Sequence, residues 1–322
     1  MRHVRSGVWL EIGRSNPHAF FKATVAVIKS AQIALYVSAA SFLLAIYDAV
    51  AGRHLFHAHL MAVGLLAFYF SVMYIQLPGF INAVPKRPAT WLLAAAFFSA
   101  AVVSYWVGYI AYLPFSLTYA ILYIKGLGGK PTYVPNLVTV PGLLFLPTAG
   151  SHLDAIASYP LASVYTLLYR IDSSKARRRF SLASSLALAS TYVAAYLAFR
   201  LGHLWAFLLP SLVLTAVAPP KVRDPYGVGA LAFRWAIALA GVHHHFMYMA
   251  FALVMSVLCV PYFLPSVLYR GAPTYGLELL ALATIATALR LLGQITAAGV
   301  LTIATVLYVA WRLARQKPIP LP

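Results

Sequence analysis

Acidic residues and cysteine are what this sequence has least of. Only 9% of its 322 residues are charged, and 6 Asp and Glu stand against 24 Lys and Arg. Soluble globular proteins carry about a quarter charged residues. A single cysteine, Cys259, excludes a disulfide framework within the chain and a metal site built from several thiolates. Because 62% of the residues are hydrophobic, most of the chain is expected to face lipid, and an integral membrane protein is predicted.

Several motifs of nucleotide binding and catalysis are missing too. The sequence has no Gly-rich phosphate loop, no HExxH, no CxxCH for covalent haem, and no carboxylate pair at glycosidase or protease spacing. The segment GLGGKP at 126–131 lacks the Walker spacing. No acid–base constellation is visible, so the sequence leaves open whether the protein turns over a substrate.

Apolar runs separated by charges, prolines and glycines predict about twelve transmembrane helices. Roughly 20 apolar residues cross the hydrocarbon core of a membrane. The runs lie at 26–50, 55–77, 90–107, 109–125, 133–149, 153–170, 180–199, 203–219, 226–242, 244–266, 275–293 and 295–313.

Basic residues set the orientation of these helices. The uncharged stretch 91–124 can form one long helix or two short ones. With two helices there and both termini cytoplasmic, the outer loops hold only Arg53 and Arg200, and the run RIDSSKARRRF at 170–180 lies inside. The positive charge is thereby explained without nucleic acid as a partner. We predict an all-α bundle in the cell membrane, with a basic N-terminal segment 1–25, one transmembrane domain 26–313 and a cytoplasmic tail 314–322.

Histidines concentrate at the predicted outer ends of two helices. Neutral imidazole binds haem iron, copper and zinc without a buried charge. Residues three apart share a helix face, so His54 and His57 can point together, whereas His57 and His59 diverge by about 200°. The predicted metal or cofactor ligands are His54, His57, His59, His243, His244 and His245.

Other polar residues in or near the membrane are candidates for supporting roles. Arg290 can pair with a haem propionate or snorkel to the interface. Asp48 can orient a ligating imidazole or stand at a solvated helix end. Arg234, in mid-helix, is expected to face the bundle interior or water. His152 and His203, taken singly, are predicted to be interfacial imidazoles.

The histidine motifs resemble those of a known family. The segment HAHLM at 57–61 with Gly64, followed by Pro78 and then KRP at 86–88, resembles the W-H-A-H-E-M-x-x-G motif of the NnrS family and its G-R-P loop. Leu60 stands where that motif has Glu. The segment from HHHF at 243–246 to YRGAP at 269–273 resembles the family's second motif.

This resemblance implies twelve helices, haem and copper as cofactors, and an association with nitric oxide and denitrification. His57 and His59 match the first motif, and His244 or His245 matches the second. We therefore expect a haem-binding membrane protein, with copper as a second metal, that responds to or handles nitric oxide or another small gas and has a redox partner.

Two alternatives stay open at this point. The segment VHHHF at 242–246 looks like the adjacent-histidine copper motif of haem–copper oxidases and nitric oxide reductases. A secondary transporter without a cofactor is the other alternative, because twelve helices with both termini inside are common among transporters. Transporters usually bury carboxylates near the membrane midplane, whereas the acidic residues here lie near predicted helix ends.

Overall fold

The described part of the chain is helical throughout. The computed structural model describes residues 17–53, 55–81, 83–125 and 136–319, and it has no strand within them. The α-helices are α1 Pro17–Val50, α2 His57–Ile81, α3 Arg87–Val107, α4 Leu113–Lys125, α5 Asn136–Phe145, α6 His152–Ala157, α7 Tyr159–Lys175, α8 Leu182–Arg200, α9 Leu208–Val217, α10 Pro225–Ala238, α11 His244–Val254, α12 Val260–Tyr262, α13 Leu264–Leu268, α14 Glu278–Leu291 and α15 Ile295–Ala314. Short 3₁₀ helices precede α4 at Tyr109–Tyr112 and follow α5 at Leu146–Thr148.

Every predicted apolar run overlaps one of these helices, and the all-helical class is confirmed. Five helical segments are long and apolar enough to cross a membrane, as expected of a membrane protein: His18–Ala49, His57–Ile81, Arg87–Val107, Leu182–Arg200 and Ile295–Ala314. Shorter apolar helical stretches include Tyr109–Ile124, Asn136–Thr148, Leu208–Val217 and His245–Cys259. The arrangement of twelve crossings and its orientation stay predictions.

The run 244–266 differs most from a single predicted helix. It consists of α11, a π-helical turn at Met255–Cys259, and the short helices α12 and α13. Pro261 and Pro265 lie in this stretch. Proline lacks a backbone N–H and clashes with the carbonyl one turn earlier, so two prolines four residues apart favour a break in the helix.

Helix α2 forms the centre of the bundle. Its side chains from Ala62 to Tyr74 are buried on all faces. Two serine hydroxyls tie it to neighbouring helix α1: Ser38 Oγ donates to the Gly64 carbonyl at 2.7 Å, and Ser71 Oγ donates to the Ala31 carbonyl at 2.6 Å. A Cβ atom at Gly64 would lie only 2.9 Å from the Phe42 ring. Small residues allow this close approach, which is how helices associate in a lipid environment.

The segments that connect successive helices contact one another in two groups, and connections of the two groups alternate along the chain. The first group joins the connections after α1, α3, α5, α8, α10 and α14, and we call it the histidine end. There His59 lies against His152, Arg200 donates to Thr148 Oγ1 at 3.4 Å, and His245 contacts Arg290. Four glycines with positive φ, Gly52, Gly108, Gly202 and Gly293, make turns at this end.

The second group joins the connections after α2, α7, α9 and α13 with the C-terminal segment, and we call it the basic end. Arg170 donates to Gln76 Oε1 at 3.2 Å. Lys175 pairs with Asp224 at 2.8 Å, and Arg270 donates to the Ala314 carbonyl at 2.9 Å. The two ends are those that the charge pattern predicts to be outer and cytoplasmic, respectively.

Candidate functional site

The start of α2 is held by a carboxylate of α1. The backbone N–H groups of Phe56 and His57 both donate to Asp48 Oδ2 at 2.9 Å. Asp48 therefore satisfies donors that a helix start leaves unpaired. The His57 imidazole donates from Nδ1 to the Ala45 carbonyl at 2.8 Å, so a neutral His57 ring carries its lone pair at Nε2. Asp48 thus fixes the backbone that carries His57, and the Ala45 carbonyl orients the ring.

His59 points to a different neighbour, as its position on the helix predicts. Its Nε2 donates to the Ala101 carbonyl of α3 at 3.3 Å. Its ring lies 6.0 Å from the ring of His152, centroid to centroid. His152 Nδ1 is hydrogen-bonded to the Tyr109 hydroxyl at 2.7 Å. Burial, together with the neighbouring His59, lowers the pKa of His152, so this ring is neutral near neutral pH.

Each of these two half-buried rings uses one nitrogen for a local hydrogen bond and keeps the other. Within the part of the chain that the structure describes, His59 Nδ1 and His152 Nε2 have no hydrogen-bond partner. A ligating imidazole commonly donates its other N–H to a carbonyl or a similar group, which fixes the tautomer. An ion bound at roughly 2 Å by one nitrogen of each imidazole keeps two ring centroids up to about 6 Å apart. The centroid distance of 6.0 Å between His59 and His152 lies within the range that one shared metal ion allows.

The second histidine group lies at the start of α11. The Arg290 guanidinium donates to His245 Nε2, and because arginine cannot accept, the proton of His245 resides on Nδ1. The His243 ring lies 5.5 Å from the His245 ring and is exposed. The structure thus brings together His243, His245 and Arg290, all predicted site residues. His245 fits haem iron only where Arg290 exchanges this bond for another acceptor, such as a propionate.

The remaining predicted ligands have no described place in either group. His54 lies outside the described residues, and of His244 only the backbone is described, as the first residue of α11. No group of three His, Cys, Asp or Glu side chains suited to a metal occurs among the described residues. His203 is exposed at the histidine end.

Two residues of the His59 site, Tyr109 and His152, were not singled out by the sequence. The sequence predicts His152 only as an interfacial imidazole, although the predicted topology places it on the same membrane face as His59. His152 could have been found by listing the polar residues in all the connections that are predicted to lie on the same membrane face as His59. Tyr109 carries no such signal, because tyrosine is frequent throughout this chain.

A buried ion pair lies toward the basic end. Arg234 donates to Asp172 Oδ2 at 2.7 Å, and the two side chains are 2% and 0% exposed. The same guanidinium donates to the carbonyls of Ala218 at 2.7 Å and Ala230 at 3.2 Å. Arg234 faces the bundle interior, as predicted. Its partner Asp172 lies 62 positions away in sequence, within the basic run at 170–180.

No protein-family model, curated protein or solved structure matches this chain.

Proposed function

We propose that this protein is a multi-pass protein of the cell membrane that binds a redox metal through histidines at one end of its helix bundle and handles nitric oxide. The contact between His59 and His152 is the observation that carries the proposal. Each ring has one oriented nitrogen and one nitrogen available to an ion. The link to nitric oxide rests on the resemblance of residues 57–64 to the NnrS motif.

Copper suits the His59–His152 pair, and haem is proposed for the group at His245. Imidazole is a good ligand for copper and iron alike. The rings of Tyr105 and Tyr109 flank the pair at 5.5 Å from His59 and 5.9 Å from His152, which favours a single ion over a porphyrin. Haem iron bound at His245 would place its propionates near Arg290. A bound metal supplies one-electron chemistry and a coordination site for a small gas.

Twelve crossings with both termini inside complete the proposal. The connections at the histidine end contact one another, those at the basic end contact one another, and the two groups alternate along the chain. Helices that cross back and forth produce this alternation. The end with few basic residues is then the outer one.

Metal content and optical spectra of the purified protein test this function. The protein is produced with added copper and haem, and spectra are taken oxidised, dithionite-reduced and after addition of nitric oxide. We expect bound copper to be lost in His59→Ala and in His152→Ala, and retained in the control His203→Ala, which removes an exposed imidazole at the same end. A Soret band that disappears in His245→Ala would assign haem to the second group. A colourless, metal-free wild-type protein would refute the proposal.

The buried Asp172–Arg234 pair favours a second candidate function, a secondary transporter. Ionisable residues inside a membrane bundle commonly mark ion or substrate pathways. A metal-free protein whose uptake of a solute into vesicles is lost in Asp172→Asn would support the transporter.

A further inference from the structure

A line of hydroxyl groups runs along one face of α4 and the 3₁₀ turn before it. Its members, three or four residues apart, share one helix face. They are Tyr109, Tyr112, Ser116, Tyr119 and Tyr123, which we call the hydroxyl line. Tyr109 is 6% exposed and the other four are fully buried. Over about 14 residues at about 1.5 Å each, the line covers roughly 20 Å of a hydrocarbon core that is about 30 Å thick.

Four of the five hydroxyls of this line are buried without a hydrogen-bond partner among the described residues. Tyr112, Ser116, Tyr119 and Tyr123 have no hydrogen-bond partner for their hydroxyl oxygens within the described residues. Buried polar groups in native proteins are nearly always paired with protein atoms or with ordered water. An unpaired one destabilises the fold, so four on a single helix face call for a partner other than the described residues, such as ordered water.

Each end of the line meets a further polar group. At the histidine end, the Tyr109 hydroxyl is hydrogen-bonded to His152 Nδ1 at 2.7 Å. At the other end, Asn136 Nδ2 donates to the Tyr123 carbonyl at 3.2 Å, and the buried Asn136 Oδ1 has no partner in the described chain. The line therefore runs from the histidine end toward the start of α5, where Asn136 bonds the backbone of its last member; α5 follows the connection predicted to be cytoplasmic.

The spacing along the line suits single water molecules as bridges. Neighbours on a helix face lie about 5–6 Å apart at their Cβ atoms, and the ring centroids of Tyr119 and Tyr123 are 5.0 Å apart. One water that makes two hydrogen bonds of about 2.8 Å spans a similar distance. Hydroxyl groups and water both donate and accept, so such a chain can pass a proton from one member to the next. A metal cation would need carboxylate or carbonyl ligands that hydroxyl groups alone do not provide.

We propose that the hydroxyl line is a proton path between the histidine end and the far end of α4, with water between successive hydroxyls. This inference does not depend on the metal-handling function. It requires only the described side chains of α4, the turn before it, His152 and Asn136. A metal-free protein that conducts protons would refute the proposed function and support the proton path. A metal-binding protein that does not conduct protons would support the proposed function and refute the proton path.

Proton flux into vesicles tests the path. The full chain is reconstituted in phosphatidylcholine–phosphatidylglycerol vesicles with K⁺ inside and Na⁺ outside, and valinomycin sets a potential that draws protons inward. A pH-sensitive dye reports the rate. We expect acidification faster than in protein-free vesicles, and about tenfold slower flux in Tyr119→Phe and Ser116→Ala, where tenfold corresponds to about 1.4 kcal/mol of barrier.

Tyr196→Phe is the matched control. Tyr196 is also fully buried, and its hydroxyl also lacks a partner among the described residues, but its ring stacks on Phe145 at 4.4 Å, away from the line. Its flux should equal that of the wild type. A wild-type rate equal to that of protein-free vesicles, or an unchanged rate in Tyr119→Phe, would overturn the proposal.

Discussion

Individual tyrosines differ in what their hydroxyls contribute to stability. The Tyr192 hydroxyl, at 2.8 Å from the Ser158 carbonyl and 3.0 Å from the Ala157 carbonyl, joins α8 to the junction of α6 and α7. The Tyr119 hydroxyl has no such partner in the described chain. A buried hydrogen bond between protein groups contributes about 1 kcal/mol net to the free energy of unfolding.

Tyr192→Phe should therefore lower the free energy of unfolding by about 1 kcal/mol, because it also leaves carbonyl acceptors unpaired. Tyr119→Phe, which removes no hydrogen bond to a described protein atom, should lower it by less than Tyr192→Phe does. The measurement is thermal unfolding in detergent, followed with a thiol-reactive dye, since the single cysteine, Cys259, is 1% exposed and reacts only when the fold opens. Equal losses in the two variants would mean that Tyr119 has a structural partner after all.

The sequence predicts single residues unevenly. Helical spacing alone separated His57 from His59, and in the structure their rings meet different neighbours, the Ala45 carbonyl and the Ala101 carbonyl. It did not predict that His152 lies against His59, because that contact depends on how α2 and α6 pack. The sequence did not predict the hydroxyl line either. Tyrosine and serine are common in membrane helices, so a face built from them within an apolar run does not stand out.

Among the elements, α7 and α10 are joined by a charged contact inside the bundle. The Asp172–Arg234 pair is buried on both sides, and Arg234 also binds the carbonyl of Ala218 after α9. Removing one partner of a buried pair leaves an uncompensated charge, which costs about 3–5 kcal/mol. Replacing both partners with apolar residues of similar size is often neutral.

Asp172→Leu should therefore strongly lower the unfolding temperature, and the double variant Asp172→Leu with Arg234→Met should recover most of it. Lys175→Ala is the control, because Lys175 and Asp224 form a pair that is 22% and 51% exposed and such pairs contribute about 0–1 kcal/mol. The unfolding temperature is measured with the same thiol-reactive dye, which reports the exposure of Cys259. A double variant as unstable as Asp172→Leu would show that the pair positions α7 against α10 in a way that apolar packing cannot replace.

The apolar runs predicted where helices lie in the sequence, but they did not predict which helices pack against each other. The runs located α2, α3, α8 and α15 to within a few residues, since each is bounded by charges, prolines or glycines that act locally. The pairing of α7 with α10 joins residues 62 positions apart, and no local pattern records it. The break in the run 244–266 was visible in principle from Pro261 and Pro265, which lie within it.

At the scale of the whole molecule, α9 is the hardest test of the twelve-crossing arrangement. It has 10 residues, about 15 Å at 1.5 Å per residue, which is half of the hydrocarbon thickness. His203 precedes it at the histidine end and Lys221 follows it at the basic end. If these residues lie on opposite sides of the membrane, the turns that flank α9 must enter the hydrocarbon region with it.

Single cysteines introduced into a Cys259→Ala background decide this point. Arg53→Cys and His203→Cys should react with a membrane-impermeant maleimide in intact cells, and Lys86→Cys and Lys221→Cys only after permeabilisation. All four positions are exposed, so a difference in labelling reports the side of the membrane. If all four patterns are reversed, the crossings stand and the orientation drawn from basic residues is wrong. If His203→Cys and Lys221→Cys label from the same side, α9 does not cross, and every later helix is inverted relative to the prediction. The His59 and His245 groups would then lie on opposite faces of the membrane, and one cofactor site at a common outer face could not be built from both.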